Sequence, residues 1–126
     1  MVLVDTSAWI EWLIGSPLAP RIGPLLPSQP EWVVPTIVQL ELAKWLTREV
    51  GEDRADEVLA STQMCQVVVL DTRIARAAAE AGRAHKLATA DAILYGTAHS
   101  MGASILTYDR HFDRLPGVVL INKHAG

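Results

Sequence analysis

Five short apolar runs, none alternating with polar residues, recur along the chain and constrain its fold more than any other feature. They are MVLVD at residues 1–5, EWVVP at 31–35, QVVVL at 66–70, ASILT at 103–107 and VVLI at 118–121. A strand with one wet face alternates apolar and polar residues, whereas a strand covered on both faces reads as a continuous apolar run. Helical segments separate most of these runs, as parallel strands require. The expected fold is therefore α/β, a three-layer α/β/α sandwich around a central, mostly parallel sheet of four to five strands.

The helical segments carry start and stop signals. Thr6–Leu13 (TSAWIEWL) has Ser/Thr available to cap it, and Thr36 is expected to cap the apolar helix TIVQLELAKWLTREV, which runs into Gly51. Glu52–Thr62 has acidic residues in its first turn, where the helix dipole favours them. Residues 72–83 form an alanine-rich helix expected to end near Gly82, and Thr89–Met101 runs into Gly102. Prolines at 17, 20, 24, 27 and 30 allow only short, irregular helix in residues 15–30. No repeat, low-complexity tract or linker interrupts the pattern, so residues 1–126 are read as a single domain.

In such sheets ligands bind outside the carboxyl ends of the strands. Asp5 and Asp109 fall at or just after two of those ends. Taken alone, Asp5 reads first as a helix N-cap and Asp109 as a turn aspartate. Glu41 lies on an apolar helical stripe with Val34, Ile37, Val38 and Trp45. It needs either a salt bridge, with Lys44 and Arg48 as neighbours on the helix, or a functional role. Asp91 is the sharpest local signal: from Leu87 to Tyr108 it is the sole Asp, Glu, Lys or Arg. It could serve the helix dipole, but in so apolar a stretch an ionised group needs a partner, and a cation would satisfy it. Asp53, Asp56, Glu57, Asp71, Glu49 and Asp113 read as solvated helix-start or surface charges.

Together the four acids suggest a hard divalent cation, which takes oxygen ligands and is usually held by a few carboxylates plus water and a substrate phosphate. Gathered carboxylates stay ionised at neutral pH chiefly when a metal binds among them. A bound cation acidifies water and neutralises a phosphodiester, which provides hydrolysis without serine or histidine.

The order and context of the acids resemble the PIN-domain family of ribonucleases, in particular the small VapC-type toxins of type II toxin–antitoxin systems. The segments that carry the likeness are VLVDTSAWIEWL, PTIVQLELAKWL and LATADAILYGTAHSMGASILTYDRHFDRLPGVVLI, which together reach across nearly the whole chain. The family's acids fall on Asp5, Glu41, Asp91 and Asp109. The resemblance implies Mg²⁺- or Mn²⁺-dependent cleavage of RNA by a metal-activated water. Asp5 and Asp91 would be the principal ligands; Glu41 and Asp109 would complete the site. Thr6, Ser7 and Thr107 would support these carboxylates by hydrogen bonds. It also implies a toxin, a homodimer and a cognate antitoxin partner. The proline-rich 15–30 segment departs from the clean helix of relatives, which leaves its partner contacts open.

Other chemistries find less support. The chain's net charge is −3, divided as −5 over residues 1–70 and +2 over 71–126, a balance compatible with a phosphate substrate. Its single cysteine, Cys65, excludes an internal disulfide, and no run reaches the length of a membrane span, so a cytoplasmic protein without a membrane partner is expected. His85, His99, His111 and His124 lack zinc-ligand spacing. Ser7 lies in no G-x-S-x-G elbow, Cys65 precedes a buried strand, and no G-x-x-x-x-G-K-[ST] loop is present. Arg73, Arg76, Arg83, Lys86, Arg110 and Arg114 are candidates for an RNA backbone or simply a solvated face. Trp9, Trp12, Trp32 and Trp45 read as core, with Trp9 and Trp12 as alternative anchors for a partner. The competing reading is a nucleic-acid-binding regulatory subunit acting with its antitoxin on DNA, without essential nuclease activity. It lacks a basic recognition helix. A phosphatase or a DNA nuclease would share the acids and differ in substrate.

Overall fold

A computed structural model describes residues 1–121. Its elements, in chain order, are β1 (Val2–Val4), α1 (Thr6–Leu13), α2 (Ala19–Ile22), β2 (Trp32–Pro35), α3 (Thr36–Glu49), α4 (Glu52–Thr62), β3 (Gln66–Val68), α5 (Thr72–His85), α6 (Thr89–Met101), β4 (Ser104–Thr107) and β5 (Val118–Leu120). The proline-rich stretch yields only the one-turn α2 and two short 3₁₀ turns, as its prolines require.

The five strands form one sheet in the order β3-β2-β1-β4-β5, and every pairing is parallel. The three inner strands hold Leu3, Val4, Val33, Val34, Ile105 and Leu106, all essentially inaccessible. The edge strands β3 and β5 are half-open. This gradient explains why the inner runs lack alternation: helices cover both faces. Right-handed crossovers place α1, α3 and α4 on one face as the chain steps from β1 to β2 to β3. The return from β3 to β4 carries α5 and α6 over the opposite face.

That return also sets the functional rim. The chain leaves β1 in one direction and comes back to pair β4 on its other side, so β1 and β4 flank the point where strand order reverses. The crevice outside their carboxyl ends is where a sheet of this kind binds ligands.

Several local expectations change. Thr36 is the first residue of α3 and not its cap; Pro35 holds the capping position with no side-chain bond. Helix α5 runs past Gly82 to His85 and ends on Lys86 in the left-handed conformation (φ 55°). Gly82 instead lets Ala92 of α6 come close, since a Cβ there would lie 3.3 Å from the Ala92 methyl. Gly96 does the same more tightly: its missing Cβ would stand 2.8 Å from Ala78 N, so α5 and α6 meet backbone to backbone. Trp9 and Trp32 are buried in edge-to-face contact with centroids 4.9 Å apart, whereas Trp12 is 39% exposed. Among the described residues no helix is long and apolar enough to cross a membrane.

Candidate metal centre

Asp5 directly follows β1, and its backbone occupies the N-cap position of α1. Its carboxylate does not cap that helix. Instead Oδ2 accepts hydrogen bonds from Thr107 Oγ1 at 2.7 Å and Ser7 Oγ at 3.0 Å. The side chain is 6% exposed, and burial pushes its carboxyl above the usual aspartate range. The hydroxyl bonds and the Thr6 backbone oppose that rise, while the nearby Asp109 charge adds to it.

Thr107, the last residue of β4, is fully buried and links two acids. Its hydroxyl donates to Asp5 and accepts the Asp109 backbone N–H at 2.9 Å. Parallel pairing of β1 with β4 sets Val4 opposite Leu106, which brings the chain just beyond each strand end to the same place. The hydroxyl of Thr6, like that of Ser7, goes to a carboxylate: it donates to Glu41 Oε1 at 2.8 Å. Glu41 therefore finds its partner on α1. Arg48, an expected salt-bridge neighbour, pairs with Glu49 at 3.0 Å.

Asp91 sits in the first turn of α6, and the start of that helix lies on the same rim. The partner it needed is His111. The imidazole Nδ1 lies 3.3 Å from Asp91 Oδ2 and 3.2 Å from Asp109 Oδ1. One oxygen or nitrogen from each of Asp91, Asp109 and His111 falls within 4.8 Å of the others, the one such group among the described residues. Burial raises the Asp91 carboxyl, the Asp109 charge raises it further, and His111 pulls it back.

The four expected acids thus gather at the carboxyl edge of the sheet in different ways. Asp91 and Asp109 share one cluster, and Asp5 couples to it through Thr107 and through the Asp109 charge. Glu41 connects only by way of Thr6, the residue after Asp5. His111 gives no zinc-type signal with the other histidines in the sequence; its partners are acids, which spacing among histidines does not reveal. A signal was available: in Asp-x-His the first side chain can accept the third backbone N–H, and Asp109 Oδ1 accepts His111 N at 2.9 Å. His124 lies outside the described residues. Asp71 stands at the start of α5 and caps it, its carboxylate accepting Ile74 N at 2.9 Å. Near the rim, Tyr108 donates to Glu11 at 3.3 Å; burial and that carboxylate push its phenol up to about 12.

The donors suit a hard divalent cation: carboxylate oxygens dominate, burial raises the Asp5 and Asp91 carboxyls, and the ligand atoms of Asp91, Asp109 and His111 lie close enough together to hold one ion.

Comparison with known proteins agrees with this architecture. The family model described as PIN domain matches residues 2–118. Several solved structures share the fold. A toxin–antitoxin complex from Klebsiella pneumoniae superposes with a TM-score of 0.82 at 23% identity, over 94% of this chain and 96% of that one. The Sarcin-Ricin loop cleaving toxin VapC20 of Mycobacterium tuberculosis gives 0.72 at 22% identity, over 94% and 97%. DNA-bound VapBC from Salmonella typhimurium gives 0.71 at 21%, over 95% and 96%. No curated protein matches the chain in sequence.

Proposed function

The chain belongs to the PIN-domain family, and on that footing we propose that it is a divalent-metal-dependent endoribonuclease and the toxin of a VapBC-type toxin–antitoxin pair. The observation that carries the reading is the gathering of Asp5, Asp91 and Asp109 around Thr107 and His111 at the strand-order reversal. Asp5 and Asp91 are the principal ligands of Mg²⁺ or Mn²⁺, and Glu41 and Asp109 complete the site. The cation, when bound, supplies charge neutralisation for the phosphodiester and acidity for a water molecule.

The chain's own residues do the positioning. Thr107 and Ser7 keep one oxygen of Asp5 occupied with hydroxyl donors, which fixes the carboxylate's rotation. Thr6 holds Glu41 against the start of α1. Arg110, exposed and next to Asp109 in sequence, is the basic residue that would meet a backbone phosphate. A toxin role, an antitoxin partner and a homodimer follow from the family likeness. The toxin role and the antitoxin partner are supported by structural neighbours that are themselves toxin–antitoxin complexes.

The test is a mixed-substrate assay: labelled RNA and DNA oligonucleotides of one sequence, incubated together with the protein in Mg²⁺, Mn²⁺ or EDTA. Endonucleolytic cleavage of RNA alone, abolished by EDTA, is the expected result; cleavage of DNA in preference, or activity in EDTA, contradicts it. Growth arrest on expression, relieved by the product of a small neighbouring reading frame with a DNA-binding N-terminus, is the expected outcome for the toxin role.

A further inference from the structure

The four-carboxylate reading leaves His111 without a role, although its ring stands between two of the acids. We propose that His111 Nδ1 is a direct ligand of the divalent cation held by Asp91 and Asp109, and that this nitrogen makes the position favour Mn²⁺ over Mg²⁺. The proposal rests on the metal-nuclease reading above.

The spacing carries the argument. Six ligands at about 2.1 Å from an ion stand about 3.0 Å apart when adjacent and about 4.2 Å apart when opposite. Nδ1 lies 3.3 and 3.2 Å from the two carboxylate oxygens, and all three ligand atoms fall within 4.8 Å of one another. The two separations from Nδ1 are close to those of neighbouring ligands around one cation. Hydrogen bonding accounts for less of it, because a single N–H at Nδ1 is well aimed at only one of two oxygens. With Nδ1 unprotonated, a cation satisfies the lone pair and both carboxylates together.

The backbone is fixed for this purpose while the ring keeps freedom to adjust. His111 lies in the 3₁₀ turn Arg110–Phe112, whose Phe112 is fully buried. Its N–H bonds Asp109 Oδ1, the same oxygen that faces the ring. The side chain is 74% exposed, so few contacts restrain the ring. The preference follows from donor chemistry: Mg²⁺ selects oxygen ligands, whereas imidazole suits transition ions.

The full-length protein, its His111→Ala variant and a His99→Ala control (His99 is exposed and remote from the acids) are titrated with MnCl₂ and MgCl₂ by calorimetry. Each is then loaded with Mn²⁺ and examined by pulsed electron paramagnetic resonance for coupling to nitrogen. Wild type and His99→Ala are expected to show histidine nitrogen coupling, and His111→Ala to lack it. His111→Ala is also expected to bind Mn²⁺ about 10–100-fold more weakly, with Mg²⁺ affinity changed less than about threefold. Absence of nitrogen coupling in Mn²⁺-loaded wild type overturns the proposal, as does an equal loss of both metals in His111→Ala. If metal-dependent RNA cleavage persists in that case, the nuclease reading stands and only the ligand assignment falls. A wild type that binds neither metal overturns both.

Discussion

Thr107→Val tests whether the acids are organised by one buried hydroxyl. Valine keeps the shape of threonine at a fully buried position and removes its oxygen. Two short bonds are lost, the 2.7 Å donation to Asp5 and the 2.9 Å bond from the Asp109 backbone, together with a long 3.5 Å contact to Ser7 Oγ. A hydrogen bond to a charged group contributes about 1.5–3 kcal/mol, and an unpaired buried amide costs about 1–3 kcal/mol. Asp109 is part-exposed, so water recovers some of the second loss. The expected destabilisation is about 2–4 kcal/mol, or a fall in Tm of about 10 °C for a chain of this length. Urea unfolding in EDTA, followed by the fluorescence of buried Trp9 and Trp32, measures it. Thr107→Ser keeps the hydroxyl and is expected to lose only about 1 kcal/mol for its methyl. A valine variant within about 0.5 kcal/mol of wild type, or a serine variant as unstable as valine, would refute the reasoning.

Three further outcomes follow from the same geometry. Asp5→Asn is expected to raise metal-free stability at neutral pH and to abolish most of the stabilisation by Mn²⁺, which reaches about 2.7 kcal/mol at a hundred times Kd. The folded protein holds the Asp5 proton more tightly than the unfolded chain, so the cost of ionisation is full above the raised folded pKa. That cost is relieved as pH falls toward 3.8, at about 1.4 kcal/mol per unit of elevation, and the gain from Asn should vanish there; thermal melts in EDTA across this range check the sign. Gly96→Ala places a methyl 2.8–2.9 Å from the Ala78 backbone, and prying α5 from α6 is expected to cost about 1–3 kcal/mol; hydrogen exchange that rises nowhere in α5 or α6 would argue against it. Asp71→Ala removes the cap on Ile74 N and is expected to cost about 1 kcal/mol in denaturant unfolding, with no effect on metal affinity.

What the sequence disclosed follows from which interactions are local. The parallel sheet was legible because VLV, WVVP and SILT are apolar throughout, which only double coverage explains. Asp5 and Asp109 were legible as rim residues because each follows a strand. Asp91 stood out by charge in an apolar stretch, but its partner was invisible: His111 lies twenty residues away and meets it only after α6 and β4 have folded. The hydroxyls of Thr6 and Ser7 read locally as helix caps, and only the family resemblance pointed to their bonds with Glu41 and Asp5, since a local rule cannot know that carboxylates compete for them. Gly82 read as a helix stop because close packing against Ala92 leaves no local trace. The direct coupling among the acids, and the looser attachment of Glu41 through Thr6, depend on the β1–β4 pairing, which the sequence does not state.

The most direct test of the proposed centre is single-turnover RNA cleavage by Asp5→Asn, Glu41→Gln, Asp91→Asn and Asp109→Asn proteins, each shown to be folded by circular dichroism. Losses on the order of a thousandfold or more are expected for Asp5→Asn and Asp91→Asn, equal to about 4 kcal/mol of lost transition-state stabilisation. Smaller losses are expected for Glu41→Gln and Asp109→Asn. Cleavage at the wild-type rate by a folded Asp5→Asn or Asp91→Asn protein would contradict the assignment of these carboxylates as the metal centre.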